Sequence, residues 1–121
     1  MLRVVDVGCG TGLACSHFQG NDSSRWLEYA LTGIDVSSCM LERARERKGV
    51  QFERLLCLSV EEPGIDKEVL SRGPFDVVVS CGLFEFVADV PRLLRRLRGW
   101  CEQGLGVLGL GVPLKVTLEA E

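Results

Sequence analysis

Histidine is nearly missing from this chain: His17 is the only one in 121 residues. The six cysteines, Cys9, Cys15, Cys39, Cys57, Cys81 and Cys101, stand singly, without a C-x-x-C pair. Zinc binding calls for clustered thiolates and imidazoles, so this spacing argues against a metal site and none is expected. Cys57 and Cys81 fall in apolar runs, where a free thiol behaves as a small hydrophobe in a reducing compartment. A long apolar run is also lacking: nothing approaches the roughly 20 residues that span a bilayer, and no membrane insertion is expected. Positive charge is not in excess. Lysine and arginine number 14 against 17 acids, a net charge of −3, which opposes the counterion release that drives nucleic-acid binding. A small-molecule or protein substrate fits that balance better. Met1 leads straight into an apolar β-like run, without the basic segment, longer apolar core and cleavage site of a signal peptide, so a cytoplasmic protein is expected.

What is present reads as a single α/β domain over residues 1–121. Apolar, β-branched runs at 2–7, 29–36, 51–58 and 75–80 predict four strands, with a glycine-rich fifth at 106–112 and an alternating edge strand at 114–118. Helical stretches separate them, the alternation of a parallel sheet covered by helices. A short helix begins at Leu13. Ser37 or Ser38 caps a second that runs to Arg47, with Met40, Leu41 and Ala44 on its inner face and Gly49 able to close it. A charged connection over 61–72 carries a short helix at 66–70. The last helix, 90–100, has Pro91 in its first turn and Leu93, Leu94 and Leu97 facing in. Two basic groups, Arg43, Arg45, Arg47 and Lys48 on one helix and Arg92, Arg95, Arg96 and Arg98 on the other, read as solvated faces.

The chemistry concentrates where the first strand ends. Gly8, Gly10 and Gly12 form a G-x-G-x-G turn between strand and helix, where side chains would block a nucleotide-like ligand. The dinucleotide form needs a third glycine one position later, and Leu13 stands there, which counts against NAD and FAD. About 20 residues on, Thr32-Gly33-Ile34-Asp35 ends the second strand at the ribose-binding position of such folds. A carboxylate there can accept both ribose hydroxyls, and Val36 and Met40 are apolar groups able to flank an adenine ring. The plainer alternatives are that Asp35 is a strand-end acid and Met40 a core residue of its helix. The loop and the acid on consecutive strand–helix units together favour the ligand-binding reading.

Asp6-Val7-Gly8-Cys9-Gly10-Thr11-Gly12, Thr32-Gly33-Ile34-Asp35-Val36-Ser37-Ser38-Cys39-Met40-Leu41 and Phe75-Asp76-Val77-Val78-Val79-Ser80 with Phe84-Glu85-Phe86-Val87-Ala88-Asp89 resemble the successive motifs of class I S-adenosylmethionine-dependent methyltransferases of the small-molecule type. The resemblance covers most of the chain. It implies a Rossmann-like three-layer αβα sandwich with strand order 3-2-1-4-5 and S-adenosylmethionine as cofactor. By the same resemblance Gly8, Gly10 and Gly12 cradle the methionine moiety, with Asp6 and Cys9 in the same cofactor-binding run. Asp35 binds the ribose, and Ser80 and Cys81 line the methyl-transfer pocket.

Two positions depart from the family pattern. Ser59 stands where members commonly carry an acid for the adenine amino group, and Glu85-Phe86 replaces a common Glu-His, so no histidine base is expected there. Glu85 is the nearest acid and reads first as a solvated loop residue; His17 reads as solvated or packed. No catalytic residue is assigned. Class I domains usually start with helices before the first strand and end with an antiparallel hairpin, so a form shortened at both ends is expected. The expected activity is methyl transfer to a small molecule. The alternative is a non-catalytic S-adenosylmethionine-binding or partner-binding domain. A third possibility is that a partner or second copy of the chain covers the exposed sheet edge.

Overall fold

Residues Val4 to Val7 are all buried, as befits a strand covered on both faces and free of alternating polarity. In the computed structural model, which describes residues 2–13, 15 and 29–101, this segment belongs to β1 (Leu2–Val7). Its neighbours are β2 (Tyr29–Asp35) and β4 (Val77–Val79), and β3 (Arg54–Cys57) lies outside β2. The sheet is parallel throughout, in the order β3-β2-β1-β4. Val7 pairs with Ile34, Asp35 with Cys57 and Asp6 with Val79. The carboxyl ends of all four strands therefore share one rim, the edge at which open α/β sheets bind ligands.

The order 3-2-1-4 agrees with expectation. The fifth strand at 106–112, the edge strand at 114–118 and His17 lie outside the described residues. Among the described residues there is one isolated parallel bridge, Cys101 to Phe75. β3 and β4 are shorter than the apolar runs that signalled them. Phe52 precedes β3 with its ring against Gly12 and Gly33, and Asp76 precedes β4 by donating to the Arg3 carbonyl while its carboxylate accepts from Arg3 N.

Three helices are described between and after the strands. α1 (Ser38–Glu46) starts at Ser37, whose hydroxyl accepts from Met40 N at 3.3 Å, the N-cap geometry that satisfies an orphan amide. Leu41 and Ala44 are buried as predicted, but Met40 is 40% exposed. It sits one position off the buried stripe of Leu41 and Ala44. α2 (Asp66–Val69) is a single turn. α3 (Val90–Gly99) is capped by Asp89 and buries Leu93 and Leu97, with Pro91 in its first turn.

Arg96 does not lie on a solvated face. Its guanidinium donates to the carbonyls of Val60 and Glu62 at 2.8 and 2.7 Å and to Asp66 at 3.1 Å, while Trp100 Nε1 donates to the other Asp66 oxygen at 2.7 Å. Helix spacing marks which residues point inward; it is silent about loop carbonyls lying beside the outer flank. At the β3 edge Arg54 reaches the Val69 carbonyl at 2.8 Å, pinning α2 there.

Both faces of the sheet carry a core. Val5, Val7, Ile34 and Val78 pack with Leu97 and Trp100 on one side, and Val4, Leu31 and Val79 with Cys15 and Val50 on the other. Gly33 has no room to spare: a Cβ there would lie 2.8 Å from Cys9 Sγ, 2.8 Å from Phe52 and 2.9 Å from Leu55. Gly33→Ala is therefore expected to lower unfolding free energy by about 1–3 kcal/mol through overpacking. Gly99→Ala, with nothing within 4 Å, is expected to gain about 0.5–1 kcal/mol. Urea denaturation measures both, and equal stability of Gly33→Ala and wild type would contradict this packing.

Candidate functional site

The turn after β1 is built on left-handed backbone, with φ of 75° at Gly8, 54° at Gly10 and 81° at Gly12. Glycine adopts that region without strain, but a glycine-rich turn must be tied down to keep one shape. The ties are explicit. Gly8 N and Cys9 N both donate to the Ile34 carbonyl at 2.7 and 3.0 Å, and Gly12 N donates to the Cys9 carbonyl at 2.9 Å. Gly10 N donates to Asp35 Oδ2 at 2.9 Å, and the other oxygen of the same carboxylate accepts from Ser37 N at 2.9 Å. Asp35 thus bridges the loop to the start of α1.

The glycines serve different ends. Gly12 is buried, and a Cβ there would meet the Phe52 ring at 3.0 Å; one at Gly8 would meet Leu83 at 3.2 Å. Around Gly10 there is open space.

A cleft of about 150 Å³ opens over this rim. Of the residues singled out from sequence, Gly8, Asp35, Val36 and Ser59 line it. Leu83, Phe86 and Val87, from the segment after β4, form the opposite wall. Val36 is 68% and Phe86 79% exposed, large apolar groups left in water at the mouth. Ser59 Oγ accepts from Glu61 N at 3.4 Å. Glu61 itself lines the cleft and accepts from Ala88 N at 3.1 Å, joining the two walls. Met40, Cys9, Gly10 and Gly12 lie outside the lining.

Below the loop, Asp6 is 1% exposed and accepts from the Cys15 thiol at 2.9 Å. Burial pushes its carboxyl up to about 6; the thiol hydrogen bond works against that rise and the charge of Asp35 adds to it. Burial, with Asp6 and Asp35 nearby, pushes the Cys9 thiol up to about 12, and burial and Asp6 raise Cys15 as well. These thiols are protonated donors and packing groups, not nucleophiles.

Other residues singled out from sequence take different places. Ser80 does not line the cleft: it is buried and its hydroxyl donates to the Val7 carbonyl at 2.9 Å, lacing the ends of β1 and β4 together. Cys81 is outside the cleft lining, and it and Cys57 are exposed, not core hydrophobes, because each sits where a strand reaches the open rim. Glu85, expected to be a solvated loop residue, is exposed on the 3₁₀ turn Phe84–Phe86 and does not line the cleft. Arg47 is no part of a solvated face. Its Nε donates to the Thr11 carbonyl at 2.8 Å and its Nη2 to Thr11 Oγ1 at 3.1 Å. Sequence reasoning missed Arg47, Glu61, Leu83 and Phe86, and no local signal marks them, since each acts across 25 or more residues of chain.

A family model described as a methyltransferase domain matches residues 5–107. A trans-aconitate 2-methyltransferase from Deinococcus radiodurans is 36% identical over 111 residues, covering 92% of this chain and 38% of that protein. A malonyl-[acyl-carrier protein] O-methyltransferase from Acetivibrio thermocellus is 29% identical over 96 residues, covering 79% of this chain and 30% of that protein. The chain thus spans about a third of the length of these curated relatives. Among solved structures, an S-adenosylmethionine-dependent methyltransferase from Mesorhizobium loti superposes with a TM-score of 0.56 at 30% identity, over 83% of this chain and 42% of that one.

The raised Asp6 carboxyl makes stability pH-dependent with a definite sign. The folded state holds the Asp6 proton more tightly than the unfolded chain, so this group's contribution is full below about pH 4 and is lost as pH rises to about 6. The loss is on the order of 3 kcal/mol. Asp6→Asn removes it, so the variant is expected to gain on wild type in melting temperature between pH 4 and 7. Parallel pH profiles for the two proteins would contradict the raised carboxyl.

Proposed function

Because this chain belongs to the methyltransferase-domain family of class I S-adenosylmethionine-dependent enzymes, we propose that it binds S-adenosylmethionine over the glycine loop and transfers its methyl group to a small-molecule acceptor. The observation that carries the reading is the Asp35 carboxylate. It is fixed by Gly10 N and Ser37 N and borders the cleft beside Gly8. Each carboxylate oxygen keeps a second lone-pair site, enough to accept a ribose diol without releasing the loop.

The charge of the site suits the ligand. Asp35 and Glu61 border the cleft and Asp6 lies buried behind the loop, while S-adenosylmethionine is a sulfonium and an ammonium with a single carboxylate. Val36 and Met40 supply apolar surface for the adenine, and Ser59 a hydroxyl in place of the usual acid. Gly8, Gly10, Gly12 and Cys9 form the floor under the methionine end, with Cys81 toward the transfer side. Ser80 contributes by fixing the Val7 end of β1.

When bound, the cofactor supplies a methyl group already activated on sulfur, so an in-line displacement needs little further chemistry from the protein. The tasks left to this chain are orientation and exclusion of water. Those are tasks for Asp35, the tied loop and the apolar wall of Leu83, Phe86 and Val87. An oxygen acceptor is supported by the relative named for O-methylation. We assign the protein to the cytoplasm, a reading supported by six free cysteines; among the described residues no helix is long and apolar enough to cross a membrane. The non-catalytic alternative shares this cofactor site and differs only in turnover.

Titration calorimetry with S-adenosylmethionine and S-adenosylhomocysteine tests the proposal. Binding of both is expected, weakened by about 1.5–3 kcal/mol in Asp35→Ala, the range for hydrogen bonds to a charged group. Failure of the intact protein to bind either ligand would overturn it. Release of S-adenosylhomocysteine in the presence of small-molecule acceptors separates the enzyme from the non-catalytic reading.

A further inference from the structure

The residues of the glycine loop are tied in two different ways. Gly8, Cys9, Gly10 and Gly12 are fastened through their backbone amides, to Ile34, Asp35 or the loop itself. Thr11 is fastened by a side chain from 36 residues away: Arg47 Nε on its carbonyl at 2.8 Å and Nη2 on its hydroxyl at 3.1 Å. The planar guanidinium fork spans both acceptors of one residue, a geometry that a lysine ammonium cannot reproduce.

Arg47 is also unlike its neighbours. Arg43, Arg45 and Lys48 are exposed, whereas Arg47 is half-buried at the C-cap of α1, its backbone extended and its amide donating to the Ala44 carbonyl at 3.3 Å. Ala44, three residues earlier, borders Gly12, where a Cβ would lie 3.6 Å from its methyl group. The last turn of α1 thus grips the far end of the loop through Ala44 and Arg47, while its start grips the near end through Ser37 and Asp35. The carboxyl end of β2 thus holds Gly8, Cys9 and Gly10, and Arg47 at the end of α1 holds Thr11.

We infer that Arg47 is a positioning residue for cofactor binding, setting the shape of the Thr11–Gly12 end of the loop without touching the ligand. The inference rests on the proposed cofactor site for its consequence. A turn with three left-handed glycines has many alternative shapes, and binding to a loop that must first be ordered is weakened by the fraction of time it is misformed.

The test compares Arg47→Ala, Arg47→Lys, Thr11→Val and the control Arg45→Ala, which removes the same charge from an exposed position of the same helix. S-adenosylhomocysteine affinity is read by calorimetry, and amide exchange over residues 8–12 without ligand. Arg47→Ala is expected to lose about tenfold in affinity, the scale of a lost charged hydrogen bond, and to exchange faster at the loop. Arg47→Lys should recover only part of the loss, Thr11→Val should show a smaller one, and Arg45→Ala should match wild type. Wild-type affinity and exchange in folded Arg47→Ala would overturn the inference, as would an equal loss in Arg45→Ala. Should Arg47→Ala not fold, unchanged affinity and exchange in both Arg47→Lys and Thr11→Val would overturn it. Failure of wild type to bind the ligand would instead sink the cofactor reading, and the exchange comparison would still decide whether Arg47 orders the loop.

Discussion

Asp35 is the constraint on which the site depends. One oxygen of its carboxylate accepts from Gly10 N and the other from Ser37 N, both at 2.9 Å, so one side chain ties the loop after β1 to the start of the helix after β2. Its own placement is a consequence of the sheet. Parallel pairing sets Asp35 beside Cys57 and Val7 beside Ile34, and the Ile34 carbonyl takes two loop amides. A one-residue slip of β2 would turn Asp35 to the other face and break all of these bonds at once. Such a slip would also carry Ile34, now fully buried, out of the cluster it packs in with Val5, Val7 and Val78, so core packing and site geometry enforce the same register.

The site carries strain of an electrostatic kind. Asp6 is buried with a thiol as its described hydrogen-bond donor, and its carboxyl is raised to about 6 by burial and, further, by the charge of Asp35. Replacing it with a neutral side chain would favour the fold at neutral pH, so its presence is better understood through the cleft than through stability. Negative charge held behind a glycine floor favours a cation above it. The exposed faces of Val36 and Phe86 fit the same picture, since apolar surface at the mouth of a cleft gains when a flat apolar group covers it.

Much of this was legible in the sequence, and the limit has a physical basis. The β1 run, the glycine turn, Asp35 and the capping role of Ser37 are local patterns: burial on both faces, backbone sign and cap chemistry each leave a trace within a few residues. Arg47 and Arg96 left none. Both sit on helix flanks that periodicity marks as solvated, and what recruits them is a carbonyl or carboxylate 30 to 36 residues away in sequence. For Ser80 the position at the end of β4 was readable, but the direction of its hydroxyl was not, since it depends on the Val7 carbonyl of the neighbouring strand. Met40 and Cys57 stay exposed although Leu41 beside the one is buried and Leu56 and Leu58 beside the other are half-buried.

The most direct test of the account is a crystal structure of the complex with S-adenosylhomocysteine. The ribose diol is expected on the Asp35 carboxylate, with the Gly10 and Ser37 amides still bonded to it and the adenine against Val36. Ligand bound elsewhere on the protein, or an Asp35 side chain that must abandon Gly10 to reach the ribose, would contradict it.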